Sequence, residues 1–182
     1  EIEKVLEEAW DIMYAYHSHN GKYRVVGINA DAQTQIKIFD LESNTEVALP
    51  DLGAKDISSV SISASEKRMR ISSGSSKSTG DLFLYDFESQ EIRQLTHTLN
   101  PEIDANDLVD ATVVRYPSFD DLPIPAIFYK PKQASATNPV PALVWVHGGP
   151  GGQSRLSYFP LIQYLVNHGY AVLAVNNRGS SG

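Results

Sequence analysis

Residues 142–152 read ALVWVHGGPGG: an apolar run, then histidine, two glycines, a proline and two more glycines. Glycines in that number either make a turn or let backbone N–H groups approach something closely. The flanking sequence narrows the choice. A second apolar run, YAVLAV, spans 170–175, and both runs have the continuous hydrophobicity of strands covered on two faces. Between them, SYFPLIQYLVNHG puts Tyr158, Leu161, Ile162, Leu165 and Val166 on one helical face, with Ser157 as the N-cap and Gly169 as the stop. Strand, helix and strand at this spacing predict a βαβ unit with parallel strands and a right-handed crossover.

In an open α/β sheet, ligands bind beyond the carboxyl ends of the strands, and HGGPGG sits at one such end. The dinucleotide spacing G-x-G-x-x-G is absent, and no phosphate-loop lysine follows. Two readings remain. One is a tight strand–helix turn. The other is the HGG-type loop of α/β-hydrolases, whose backbone N–H groups form part of an oxyanion hole. Acyl transfer passes through a tetrahedral oxyanion, and N–H donors fixed in advance stabilise it without reorganising.

The first half carries a repeat. NGKYRVVGINADAQTQIKIFDLESNTEVALP from Asn20 parallels SEKRMRISSGSSKSTGDLFLYDFESQEIRQLT from Ser65. Lys22 matches Lys67 at an offset of 45, whereas Phe39-Asp40-Leu41 matches Tyr85-Asp86-Phe87, and Leu49 matches Leu95, at 46. QIKIFDL and DLFLYDF alternate with the period of half-buried strands, and the Asn-Gly pair in SHNGK (Ser18–Lys22) favours a hairpin turn. A repeat of four short strands at this period is the signature of a β-propeller blade. Two blades cannot close a ring, so further blades are expected upstream of Glu1. His17 and His19 lack a third ligand for a metal. GSSKSTG (Gly74–Gly80) lacks the phosphate-loop spacing and reads as a flexible loop between strands. Trp10 and the tyrosines near it read as packing residues.

NPEIDANDLVD (Asn100–Asp110) is acidic and turn-rich, as a linker would be. Strands are predicted over Thr112–Tyr116 and Ile124–Tyr129, with the adjacent Asp120 and Asp121 on a solvated turn and QASATNPVP as a surface loop. The expected fold is therefore mixed: the C-terminal blades of a β-propeller over residues 1–100, then the first strands and helix of an α/β-hydrolase domain over 101–182.

Composition bounds the rest. The 182 residues are 42% hydrophobic and 20% charged, with net charge -7 and pI near 5.1, and no basic cluster suggests nucleic acid as a partner. The absence of cysteine removes disulfides, thiolate metal sites and a cysteine nucleophile. EIEKVLEEAW is not a signal peptide, and no apolar stretch approaches the ~20 residues that span a bilayer. No membrane partner is expected. A soluble protein is, in the cytoplasm, the periplasm or secreted.

PALVWVHGGPGGQ (Pro141–Gln153) and YLVNHGYAVLAVNNRGSSG (Tyr164–Gly182) resemble the catalytic domain of the prolyl oligopeptidase family of serine peptidases, in its acylaminoacyl-peptidase and dipeptidyl-peptidase branch. The blade endings IFDLESNTEVALP and LYDFESQEIRQLT resemble that family's propeller. VVRYPSFDDLPIPAIFYKP resembles its entry to the hydrolase domain, except that Asp121 stands where the family has glycine. The resemblance implies a serine peptidase that cleaves short peptides through an acyl-enzyme, needs no cofactor or metal, and uses a propeller to restrict access to small substrates. It also implies that the oxyanion-hole loop falls on His147, Gly148 and Gly149, with the Gly149 N–H as donor, and that Arg178 of NNRG organises its loop.

The nucleophile elbow G-x-S-x-G occurs nowhere in the sequence, and GSSG (Gly179–Gly182) has the wrong spacing. In α/β-hydrolases the acid and base follow the serine, so no triad member is expected before Gly182. The resemblance thus describes a chain cut at both ends and inactive alone, which self-associates through open strand edges. An HGG-type esterase, and a propeller-based binding module with a degenerate hydrolase remnant, are the alternatives.

Overall fold

The structure, a computed structural model, describes residues 2–53, 56–149 and 151–181. It is mostly β, with three four-stranded sheets and one α-helix among the described residues. The chain divides into two compact units. One runs to Ser73 and takes in Leu82–Thr96; the other comprises Gly74–Asp81 and His97–Ser181.

In the first unit, β1 (Asp11–His17), β2 (Tyr23–Ala30), β3 (Gln33–Asp40) and β4 (Thr45–Glu46) form a sheet in sequence order. β5 (Asp56–Ile62), β6 (Arg68–Ser75), β7 (Ser78–Asp86) and β8 (Ile92–Gln94) form the next in the same order. The predicted repeat is therefore two meanders of four strands. Their equivalence extends to single bonds. The N–H of Leu41 donates to Lys22 O and that of Phe87 to Lys67 O, the same bond at offsets of 46 and 45. β7 has nine residues where β3 has eight, which absorbs the change of offset. Asp40 and Asp86 each accept two backbone N–H groups in the turn that follows, from Glu42 and Ser43 and from Glu88 and Ser89.

Alternating residues of both sheets meet in one core of Tyr23, Val25, Ile36, Ile38, Val60, Met69, Ile71, Phe83 and Tyr85. The turn between β1 and β2, at the predicted Asn-Gly, is tied to the second meander by Glu66. Its carboxylate accepts the Ser18 hydroxyl, the Asn20 N–H and, at 3.4 Å, the Lys22 N–H. Of the residues read as packing, Tyr14 packs against that core, and Trp10 is 41% exposed. His17 accepts from the Arg24 guanidinium at 3.4 Å. Strands β6 and β7 run through the segment read as a loop over 74–80, leaving only Ser76 and Lys77 between them. Gly74 permits this, because a Cβ there would lie 3.1 Å from Ser78 O.

In the second unit, β9 (Ala111–Pro117) and β10 (Pro123–Tyr129) pair as an antiparallel hairpin at the predicted positions. β11 (Ala142–Val146), α1 (Pro160–Asn167) and β12 (Ala171–Val175) form the predicted strand–helix–strand unit. β11 and β12 are parallel, from Ala142↔Ala171 to Val146↔Val175. The sheet order is β11-β12-β10-β9. β12, with a neighbour on each side, is buried as expected. β11 is not: it lies at the edge, and Val144 and Val146 are 67% and 64% exposed.

The helix start also differs from expectation. Phe159, not Ser157, is the N-cap residue, with no side-chain cap bond, because Pro160 takes the first helical position with its φ already set and no N–H to satisfy. The buried face is Ile162, Gln163 and Val166, and Leu161 is half exposed. Gly169 ends the helix as predicted, at φ +91, and its N–H and that of Tyr170 bond back to Val166 O and Leu165 O.

Candidate functional site

The chain leaves β11 at His147 and returns to α1 at Pro160, so residues 147–159 form the loop beyond the carboxyl end of that strand. His147 is half-buried, and its Nε2 lies 2.8 Å from Ser180 Oγ. The Ser180 hydroxyl donates to Asn177 O at 2.7 Å. The other ring nitrogen, Nδ1, lies 3.2 Å from Gly148 O, so the ring spans from the glycine loop to Ser180. The pair ties the glycine loop to the segment after β12.

Gly148 and Gly149 follow, both exposed, with open space around the position of a Cβ. Gly149 has φ +64, a left-handed conformation that favours glycine. Among the described residues no acceptor meets the Gly149 N–H. Pro150 lies outside the described residues. Gly152 is a requirement the sequence did not signal, since a Cβ there would sit 2.5 Å from Gly148 O and 3.0 Å from His147 Nδ1. Its carbonyl accepts the Ser181 N–H at 3.1 Å, and Gly151 O accepts the Ser181 hydroxyl. The HGGPGG loop is thus laced to the segment after β12 from both of its ends.

That segment is the NNRG stretch. Asn176 is buried, and its side-chain amide bonds both the N–H and the C=O of Ser154. Arg178 reaches the β9–β10 turn, where it pairs with Asp120 and lies 5.0 Å from the Phe119 ring centroid. The Arg178 guanidinium holds the Asp120 carboxyl below the usual carboxylate range. So the turn read as two solvated carboxylates has one of them engaged, at a separation no local pattern reveals. Asp121 has a left-handed conformation, at φ +64.

Beneath the loop is a cavity of about 260 Å³, walled by Trp145, Phe159, Ile162 and Ala174 and edged by His147 and Arg155. Trp145 and Phe159 meet edge to face at 5.3 Å. Burial pushes the Tyr129 hydroxyl, also on this wall, up to about 12 and lowers the Arg155 guanidinium. Arg155 stays cationic, because its ordinary value lies far above neutrality. Among the described residues, no three His, Asp or Glu side chains gather around a point where a metal could bind. Nor is any helix long and apolar enough to cross a membrane.

No protein-family model matches the chain. Among curated proteins it is similar to dipeptidyl aminopeptidase BIII of Pseudoxanthomonas mexicana, 29% identical over 169 residues, which cover 89% of this chain and 24% of that protein. Among solved structures, its fold is like that of a puromycin-hydrolysing peptidase of Mycobacterium tuberculosis, at TM-score 0.74 and 20% identity, over 94% of this chain and 26% of the other. It is also like the acylaminoacyl peptidase of Pyrococcus horikoshii, at TM-score 0.69 and 21% identity, over 95% and 26%. The chain therefore spans about a quarter of the length of the peptidases it resembles.

Proposed function

We propose that this chain, a stretch of a prolyl oligopeptidase-family peptidase, supplies that enzyme with the loop that binds the oxyanion of acyl transfer. The blades of the first unit would be part of its propeller, and the second unit the opening strands and helix of an α/β-hydrolase domain. The observation that carries this reading is the state of Gly149: left-handed, exposed, its N–H met by no acceptor among the described residues, on a loop whose ends are tethered. An N–H held in place and left unsatisfied is what an oxyanion needs. A hydrogen bond present before the reaction adds stabilisation in the transition state without reorganisation.

In this reading a substrate carbonyl sits over Gly148 and Gly149, where a side chain would collide with it. A serine from outside these 182 residues attacks the carbonyl carbon, and the negative charge that develops on its oxygen meets the Gly149 N–H. A histidine, also from outside, takes the serine proton and delivers it to the leaving amine. His147 holds the loop, through the contact of its Nε2 with Ser180. The propeller would admit short peptides and exclude folded chains.

The reading is tested in the full-length protein with a peptide boronate, which forms a tetrahedral adduct on an active serine. A crystal structure of the adduct is expected to put a boronate oxygen within about 3.1 Å of the Gly149 nitrogen. An adduct whose oxygens all face away from this loop would refute it. The isolated 182-residue chain is expected to hydrolyse no peptide and to take no label from a fluorophosphonate. Labelling at Ser180 or Ser181 would refute that.

A further inference from the structure

The parallel pairing of β11 with β12 stops at Val146↔Val175. One residue further, β11's chain has turned out of the sheet into the glycine loop, and β12's chain goes on to Asn176. Asn176 is 4% exposed. Its own N–H donates to Pro125 O at 2.9 Å, which keeps it in register with β10 on the other side. Its side-chain Oδ1 accepts the Ser154 N–H at 2.7 Å, and its Nδ2 donates to Ser154 O at 3.0 Å. A side-chain amide has the same donor and acceptor pair as a peptide group, so Asn176 meets both backbone groups of Ser154 just where the strand pairing ends.

The consequence is a closed loop. Residues 147–154 leave the sheet beside Val175 and are clamped again at Ser154 beside Asn176, so both feet stand on adjacent residues of one chain. The clamp is directional. Both amide bonds must form together, which fixes Ser154 in rotation as well as in position, and Gly152, two residues before it, is held in turn by the Ser181 N–H. We infer that Asn176 is a positioning residue for the oxyanion donor. It does not touch substrate; it holds the loop so that the Gly149 N–H points where the charge develops. This rests on the oxyanion-loop reading above.

The test uses the full-length peptidase with Asn176→Ala and Asn176→Asp. The second keeps shape and the acceptor for the Ser154 N–H, but sets an oxygen against Ser154 O. Loss of alignment, as opposed to loss of a donor, is expected to cost about 10- to 100-fold in kcat with KM changed less than about threefold. Affinity for the peptide boronate should fall by the same factor as kcat/KM. Affinity for the cleaved product peptide, which develops no oxyanion, should stay within about twofold. In Asn176→Asp, activity relative to wild type should rise as pH is lowered, because the protonated carboxyl can again donate to Ser154 O.

Boronate and product affinities falling together would mark a general structural role and overturn the inference. So would variants whose kcat stays within about twofold of an active wild type. A wild type that neither cleaves peptides nor binds the boronate would overturn the peptidase reading instead, and the role of Asn176 with it.

Discussion

Gln163 is the only polar side chain on the buried face of α1, and it makes three bonds. Oε1 accepts the Val109 N–H at 3.0 Å, and Nε2 donates to Val109 O at 2.8 Å and to Ser76 O at 2.7 Å. It is 3% exposed, and all three groups belong to the second unit. Gln163→Leu keeps most of the volume and removes every bond, leaving one N–H and two carbonyls in a site water does not reach. An unsatisfied buried group costs roughly 1–3 kcal/mol, but carbonyls with a second acceptor direction cost less and leucine recovers some apolar burial, so the expected loss is about 2–4 kcal/mol. Since every 1.4 kcal/mol is a factor of ten, the Val109 amide should exchange about 30- to 700-fold faster with solvent deuterium. Amide exchange in the full-length protein reads this directly, because it reports local opening without requiring two-state unfolding.

Gln163→Glu sharpens the test. It preserves Oε1 for Val109 but turns the other oxygen on two carbonyls. Burial and those dipoles favour the neutral form, so the introduced carboxyl has a folded-state pKa above its unfolded value of about 4.3. Such a variant is closest to wild type below the unfolded pKa and loses stability as pH rises through the folded one, whereas the leucine variant shows no such dependence. Val109 exchange within about twofold of wild type in Gln163→Leu, or a flat pH profile in Gln163→Glu, would refute the reasoning.

Three further outcomes are expected. The Glu66 carboxyl, held down first by the Ser18 hydroxyl and then by the Asn20 and Lys22 N–H groups, should titrate by NMR below the usual carboxylate range. Its stabilisation is present above the unfolded pKa and is lost as pH falls through the folded one, so Glu66→Gln should remove part of the first unit's acid sensitivity, and an unchanged acid midpoint would contradict this. Asp121→Gly should raise stability by about 0.5–1 kcal/mol, because Asp121 sits at φ +64 on an exposed turn; a lower melting temperature would contradict the assignment of strain. The isolated 182-residue chain is expected to self-associate at the β11 edge, where Val144 and Val146 are exposed. Val144→Lys should then reduce its light scattering, and no change would rule out that edge.

How much of this was legible beforehand follows from the range of the physics involved. The repeat could be read to its one-residue change of offset, because alternation and turn residues are local requirements of each strand. So could the strand–helix–strand unit and the Gly169 stop. Ser157 misled because a capping side chain is only one way to start a helix, and Pro160 three residues on supplied another. The two-sided burial expected of β11 misled because hydrophobicity states what a strand can bury, not whether a neighbour is there. HGGPGG announced itself, but what fixes it did not. The partners Asn176 and Ser154 stand 22 residues apart, and His147 and Ser180 33. A polar side chain's donors and acceptors are written in its identity, but which groups they meet is decided only when the sheet brings distant backbone within 3 Å, so the sequence by itself determined the elements and the loop, and the tertiary structure determined what holds the loop still.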